Sequence, residues 1–243
     1  MNILEDGPEL RANVATACRV LAARGLVEGA LGHVSARVSS DEIVIRCRGP
    51  HDGGLGMSDA GDVWRVTLDG DPVDLPEGYA APKELPLHTE LLRARPSLAA
   101  VVHAHPRSAL LCGLAGLTVR PVFGAYNIPA MRLALRGVPI FPKTALVTRP
   151  DLAREVVAAM AESDACLLLG HGVVVGGETV EQATVRTVDL DVLLDVTVRL
   201  KELGAEPEKL SAEDLAELPD LGSAFNDQLA WRALVAELTP KQG

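Results

Sequence analysis

Apolar positions recur along the chain at two alternating periods, which predicts helices interleaved with short strands. Leu10, Val14, Ala17 and Leu21 repeat at helical spacing behind Pro8, and Gly25 is placed to stop them, so residues 9–24 read as the first helix. Residues 43–45 and 63–68 are β-rich runs, the second closed by an Asp69-Gly70 turn, and predict strands. A helix over about 84–95 puts Glu84 and His88 on one face. Residues 99–102 form a short buried strand, Pro106 stops it, and Arg-Ser-Ala-Leu-Leu-Cys-Gly-Leu restarts the chain as a helix. Beyond it, 117–123 looks extended and 124–127 marks a loop, with short strands at 140–141 and 145–147. A helix over about 150–161 precedes strands at 166–169 and 173–175. Thr179 and Gln182 form a capping box that opens the longest helix, stopped by Gly204 and apolar on more than one face, as a helix meeting another element or subunit would be. Residues 211–218 and 225–238 predict helices at the C-terminal end.

The chain's 243 residues suit one α/β domain over 1–243, with its C-terminal helices in about 205–243. No Gly-x-Gly-x-x-Gly follows an early strand, which argues against a dinucleotide-binding sheet. Hydrophobic residues make up 48%, yet no run nears the roughly 20 apolar residues of a membrane span. The start of the chain lacks the basic and apolar pattern of a secretory leader. Cys18, Cys47, Cys112 and Cys166 are scattered without Cys-x-x-Cys spacing, so reduced thiols in a cytoplasmic protein are expected. A formal charge of −10 weighs against nucleic-acid binding.

The chemistry gathers at one strand end. His103 and His105 are two residues apart on a strand, so their imidazoles share a face and can serve one metal ion. A carboxylate, Glu84, precedes the helix upstream, and downstream His171 stands between glycines amid two apolar strands. A hydrogen-bonded histidine pair at a strand end is the alternative for His103 and His105 alone.

The ordered set Glu84 … His103-x-His105 … Gly170-His171-Gly172 resembles the class II aldolase/adducin family over about residues 9–203. That resemblance implies a three-layer α/β/α fold with a central, largely antiparallel sheet, and a fourfold homotetramer with active sites near subunit interfaces. It implies His103, His105 and His171 as ligands of one divalent metal ion, and Glu84 as acid/base or fourth ligand. His88 is expected to support these groups rather than ligate. Three imidazoles suit Zn2+, with Mn2+ and Co2+ as alternatives. Tyr126 lies near the position of a tyrosine acid. Sugar-phosphate members have Gly-Asn, Thr-Gly and Ser-Ser-Glu where this chain has Gly32-His33, Arg48-Gly49 and Pro82-Lys83-Glu84. Gly32, His33, Ser35, Arg48, Gly49 and Lys83 are therefore the expected substrate-binding set, with His33, Arg48 and Lys83 as cations for a carboxylate. Gly-His-Val-Ser and Arg-Gly-Pro resemble the branch with dihydroxyaromatic-acid decarboxylases. The implied activity is a metal-dependent carbon–carbon lyase acting on a small carboxylate. A class II aldolase or epimerase acting on a sugar phosphate or hydroxy-keto acid is the alternative, and a non-catalytic adducin-like interaction domain the second.

Overall fold

The computed structural model describes residues 1–238; residues 239–243 of the expected C-terminal segment lie outside it. Among the described residues, seven strands form one sheet: β1 (His33–Arg37), β2 (Glu42–Arg46), β3 (Val63–Thr67), β4 (Ala100–Ala104), β5 (Ile140–Phe141), β6 (Ala165–Leu168) and β7 (Gly172–Gly177). Their order is β3-β2-β1-β4-β7-β6-β5, and every pairing is antiparallel except that of β5 with β6. The central strands are buried along their length, because alternate side chains enter two separate cores. Val34, Ala36, Ala100, Val102, Val173 and Val175 pack on one side, and Ile43, Ile45, Val101, Cys166 and Val174 on the other.

Helices cover both faces. The first core is closed by α1 (Pro8–Ala23), α3 (Arg107–Leu114), α4 (Ile128–Leu133) and α6 (Val180–Glu202), and the second by α2 (Leu85–Ala94) and α5 (Pro150–Met160). The expected three-layer arrangement with a largely antiparallel sheet is what the chain adopts. Helix α6 is apolar around much of its girth because it touches α1, α3, α4, β4 and β7 of its own chain. Its first turn is capped by Thr179, whose hydroxyl accepts from the Gln182 amide, while Gln182 Oε1 accepts from Glu178 rather than Thr179. Near the end of the described chain lie α7 (Ala212–Ala216), a π-helical stretch Ala224–Leu229 and α8 (Ala230–Ala236), which leans on α6 and α1. The continuous helix expected over 225–238 thus begins with wider turns.

The strand expected at 145–147 is absent among the described residues, and the extended stretch 117–123 joins no sheet. Residues 117–123 pair with no ladder; they run as coil that buries Val119 in the first core. Residues 145–147 are also unpaired, and the Val147 amide is turned to another task described below. The loop expected at 124–127 leads into α4, whose N-cap is Asn127. None of the described helices is long and apolar enough to cross a membrane.

Asn127 also donates through Nδ2 to Asp189 on α6, at 2.8 Å. Burial pushes the Asp189 carboxyl up to about 6; Asn127 opposes the shift and the Asp227 charge adds to it. A folded-state value above the ordinary one means that the folded chain holds an extra proton between about pH 4 and 6. Asp189 therefore stabilises the fold in its protonated form, and that contribution is lost as pH rises through about 6. Asp189→Asn keeps the acceptor and is expected to raise Tm at pH 8 while changing it little at pH 4. Equal shifts at both pH values in thermal unfolding would contradict this.

Candidate metal centre and active site

Strand β4 carries His103 into the middle of the sheet, fully buried, and ends just before His105. The His105 amide donates to Leu26 O at 2.9 Å, tying the chain after the strand to the end of the first helical segment. His171 sits in the tight turn joining β6 to β7. Gly170 takes φ +64 there, a left-handed conformation, and the His171 amide closes the turn on Leu168 O at 3.0 Å. Gly172 has no room for a side chain, because a Cβ would collide with the Ala104 carbonyl oxygen. The glycines flanking His171 therefore let the hairpin press its imidazole against the end of β4.

The three rings form a compact triad. Centroids are 4.7 Å apart for His103–His105, 4.9 Å for His103–His171 and 4.8 Å for His105–His171, with interplanar angles of 69°, 70° and 88°. Glu84 closes the fourth side from the N-cap of α2, its Oε2 3.3 Å from His103 Nε2 and 3.4 Å from His171 Nε2. Its side chain does not cap the helix; Oε1 instead accepts the Val147 amide at 2.9 Å. Burial works against charge on Glu84, but the contacts with His103 and His171 prevail and hold its carboxyl well below the usual range. Burial, then the neighbouring His103 and His171, pulls His105 down to about 3, so it is a neutral ring with a lone pair to offer.

These groups fit a metal ion. One ligand atom from each of Glu84, His103, His105 and His171 can be chosen so that all lie within 4.8 Å of one another. His103 Nδ1 donates to Val173 O at 2.9 Å, which leaves its Nε2 lone pair facing His105 Nε2, 2.9 Å away. Without a metal ion, neutral His105 meets that lone pair by donating from Nε2; with its proton on Nδ1 instead, both Nε2 atoms are free to serve one ion. His171 Nδ1 is buried without a hydrogen bond among the described residues, and Nε2 has only the long 3.4 Å approach to Glu84 Oε2, an arrangement that costs free energy unless something binds there. Thiols play no part: all four cysteines are buried and unpaired, and burial pushes Cys18, Cys47 and Cys166 to about 12 and Cys112 to about 11.

The expected substrate-binding residues divide. His33, which pairs with His103 across β1 and β4, brings its ring to 4.9 Å from that of His103. It is not the cation expected, since burial, with His88 and His103 beside it, pulls it well below its ordinary value and leaves it neutral. Ser35 is sealed in the sheet rather than open to substrate, its hydroxyl 2.7 Å from His88 Nδ1. His88 in turn reaches His33 Nδ1 at 2.7 Å, in the supporting position expected of it, and burial draws it down to about 3. Gly32, at φ +81, lies over the His103 carbonyl, 3.0 Å from where a Cβ would be. Arg48 is exposed and donates to Ala30 O at 2.8 Å in the turn leading to Gly32. Lys83 is exposed next to Glu84 in the chain. Gly49 makes room for the Tyr79 ring, 2.6 Å from where a Cβ would stand. Tyr126 is not joined to the triad: it is 76% exposed and packs edge-on against Phe123 at 5.4 Å, carried there by the loop before α4. Sequence reasoning missed the Val147 amide and the Val173 carbonyl, because backbone groups that orient Glu84 and His103 leave no mark in residue identity.

The fold and the site together define a class of protein. The chain belongs to the Class II Aldolase and Adducin N-terminal domain family, whose profile matches residues 12–198. Class II aldolases depend on a divalent metal, which the His/Glu cluster suits. Among known proteins, the chain is 46% identical over 232 residues to the 3,4-dihydroxyphthalate decarboxylase of Arthrobacter keyseri, covering 94% of each. It is 47% identical over 227 residues to that of Terrabacter sp. (strain DBF63), covering 93% of this chain and 95% of the relative. Among solved structures, an aldolase II superfamily protein from Pseudomonas syringae superposes with a TM-score of 0.78 at 22% identity, over 95% of this chain and 92% of that one.

Proposed function

We propose that this chain is a divalent-metal-dependent lyase that releases CO2 from a dihydroxyaromatic carboxylic acid, with 3,4-dihydroxyphthalate the first substrate to try. The observation that carries the reading is the full Glu84–His103–His105–His171 cluster in a chain 46% identical, nearly end to end, to a decarboxylase of that acid. His103, His105 and His171 would hold the ion, and zinc suits three imidazoles best, ahead of Mn2+ or Co2+. Once bound, such an ion supplies Lewis-acid chemistry, drawing developing negative charge onto adjacent substrate oxygens.

The chain's own groups do the rest. Val147 N–H occupies Glu84 Oε1 and leaves Oε2, on the side of the triad, to handle a proton. The Glu84 carboxylate accepts the proton of the substrate hydroxyl next to the departing carboxylate, and electrons move from that oxygen into the ring. Glu84 then returns the proton to the ring carbon that bears the carboxylate. The C–C bond breaks, its electron pair restores the ring and the phenolate oxygen, and CO2 leaves. A solvent proton completes the hydroxyl. Arg48 and Lys83 supply positive charge for the substrate's carboxylates, and Gly32 lets the backbone approach the site. Gly49, packed on Tyr79, shapes the turn that carries Arg48. Tyr126 would act only across a subunit boundary.

This reading includes a single domain over residues 1–243, a cytoplasmic location and a homotetramer. Support for the tetramer comes from Leu111, Leu114 and Leu146, large apolar side chains left exposed that a second copy would cover. The test is a panel of dihydroxyaromatic acids and sugar phosphates, with CO2 and aldehyde release both monitored. Release of CO2 from 3,4-dihydroxyphthalate is expected. Efficient aldehyde release from a sugar phosphate, with no CO2 from any hydroxyaromatic acid, would assign the site to the aldolase reaction instead.

A further inference from the structure

A buried chain of three polar side chains runs behind the metal cluster. Ser35 Oγ is 2.7 Å from His88 Nδ1, and His88 Nε2 is 2.7 Å from His33 Nδ1. Ser35 and His88 are wholly buried and His33 is 4% exposed. Ser35, on β1 under α2, has no other side-chain hydrogen bond among the described residues. A buried hydroxyl proton needs an acceptor, and the one in reach is His88 Nδ1. That sets the direction of the whole chain. With Nδ1 accepting, neutral His88 carries its proton on Nε2 and donates it to His33 Nδ1. With its own Nδ1 accepting, neutral His33 carries its proton on Nε2. His33 Nε2 has no hydrogen-bond partner among the described residues and is not shut off from solvent, while its ring stands 4.9 Å from that of His103.

We propose that Ser35 and His88 are positioning residues that hold His33 as an Nε2–H donor, which binds a carboxylate oxygen of the substrate beside the metal cluster. The proposal rests on the decarboxylase reading for the identity of that oxygen. It also separates binding from proton transfer. Were His33 to give up its Nε2 proton, the chain could replace it only by moving protons from His88 and then from Ser35. That would leave a serine alkoxide sealed in the sheet. A chain that ends at a buried hydroxyl orients a donor; it does not conduct protons. His33 therefore sets affinity and orientation, and the proton that replaces CO2 is left to Glu84.

The first arm of the test is neutron diffraction from crystals of the zinc-loaded, deuterium-exchanged protein. Deuterium is expected on Ser35 Oγ pointing at His88, on His88 Nε2 and on His33 Nε2; deuterium on His33 Nδ1 overturns the proposal. The second arm measures calorimetric binding of phthalate, which has no hydroxyls to react, to the zinc-loaded wild type, Ser35→Ala and Ser35→Thr. In Ser35→Ala the binding-competent tautomer is only partly populated, so phthalate is expected to bind about three- to tenfold more weakly. Ser35→Thr, which keeps the hydroxyl, restores binding. With 3,4-dihydroxyphthalate, Ser35→Ala should raise KM by a similar factor and hold kcat within about threefold. Equal phthalate affinity in all three proteins overturns the proposal, as does a kcat loss of about a hundredfold at unchanged KM, the mark of a proton path. If the wild type releases no CO2, the decarboxylase reading fails by itself, and the deuterium positions and phthalate affinities still decide the role of Ser35 and His88.

Discussion

His103→Ala is expected to strip the chain of its divalent ion and take turnover with it, while the fold survives. His103 is the centre of the cluster: its ring lies within 4.9 Å of those of His33, His105 and His171, and its Nε2 faces Glu84. Removing it deletes one of three nitrogen donors and frees the Val173 carbonyl that orients it. Loss of a group that merely supports a metal ligand costs about 10–100-fold in metal affinity or activity, so loss of a ligand should exceed that range. The two cores on either side of the sheet are built from other residues, which is why folding should persist. Metal content by plasma emission, CO2 release and circular dichroism on the same sample check this. Retention of one ion per chain in His103→Ala would mean that the site lies elsewhere.

Glu84→Gln should give the opposite balance: metal largely kept, turnover lost. The side-chain amide oxygen introduced by the substitution would still accept the Val147 N–H, so the start of α2 and the loop at 147 stay in place. With His103, His105 and His171 intact, three imidazole donors remain for the ion. What disappears is the carboxylate that accepts and returns the proton. Proton transfer by a positioned group is worth typically 10²- to 10⁴-fold in rate, and kcat is expected to fall by about that factor. Undiminished kcat in Glu84→Gln would remove Glu84 from the reaction.

Much of this was legible in the sequence because the signals were local. Apolar periodicity and punctuation by Pro8, Gly25, Pro106 and Gly204 placed most helices and strands to within a residue or two. The His-x-His spacing on a strand and the glycines around His171 are local marks, but their union with Glu84 in one cluster came from the resemblance of the ordered set to the family; the i, i+4 relation put Glu84 and His88 on one face. The misreadings share a cause in tertiary context. Residues 145–147 look like a strand, but no neighbouring strand meets them, and the Val147 amide finds a carboxylate instead. His33 and Arg48 read alike as cations in sequence. Burial behind His103 makes His33 neutral, whereas Arg48 stays in solvent. Ser35 looked like a ligand contact because it follows a glycine-rich turn; strand alternation carries it into the sheet beneath α2.

The most direct test of the account is a metal titration of the chelator-stripped protein with 3,4-dihydroxyphthalate as substrate and CO2 as readout. The stripped protein should release no CO2 above background. Activity should rise in proportion to added Zn2+ and level off at one ion per chain, in keeping with the single cluster of Glu84, His103, His105 and His171 among the described residues. Full CO2 release from protein shown to hold no metal would contradict it.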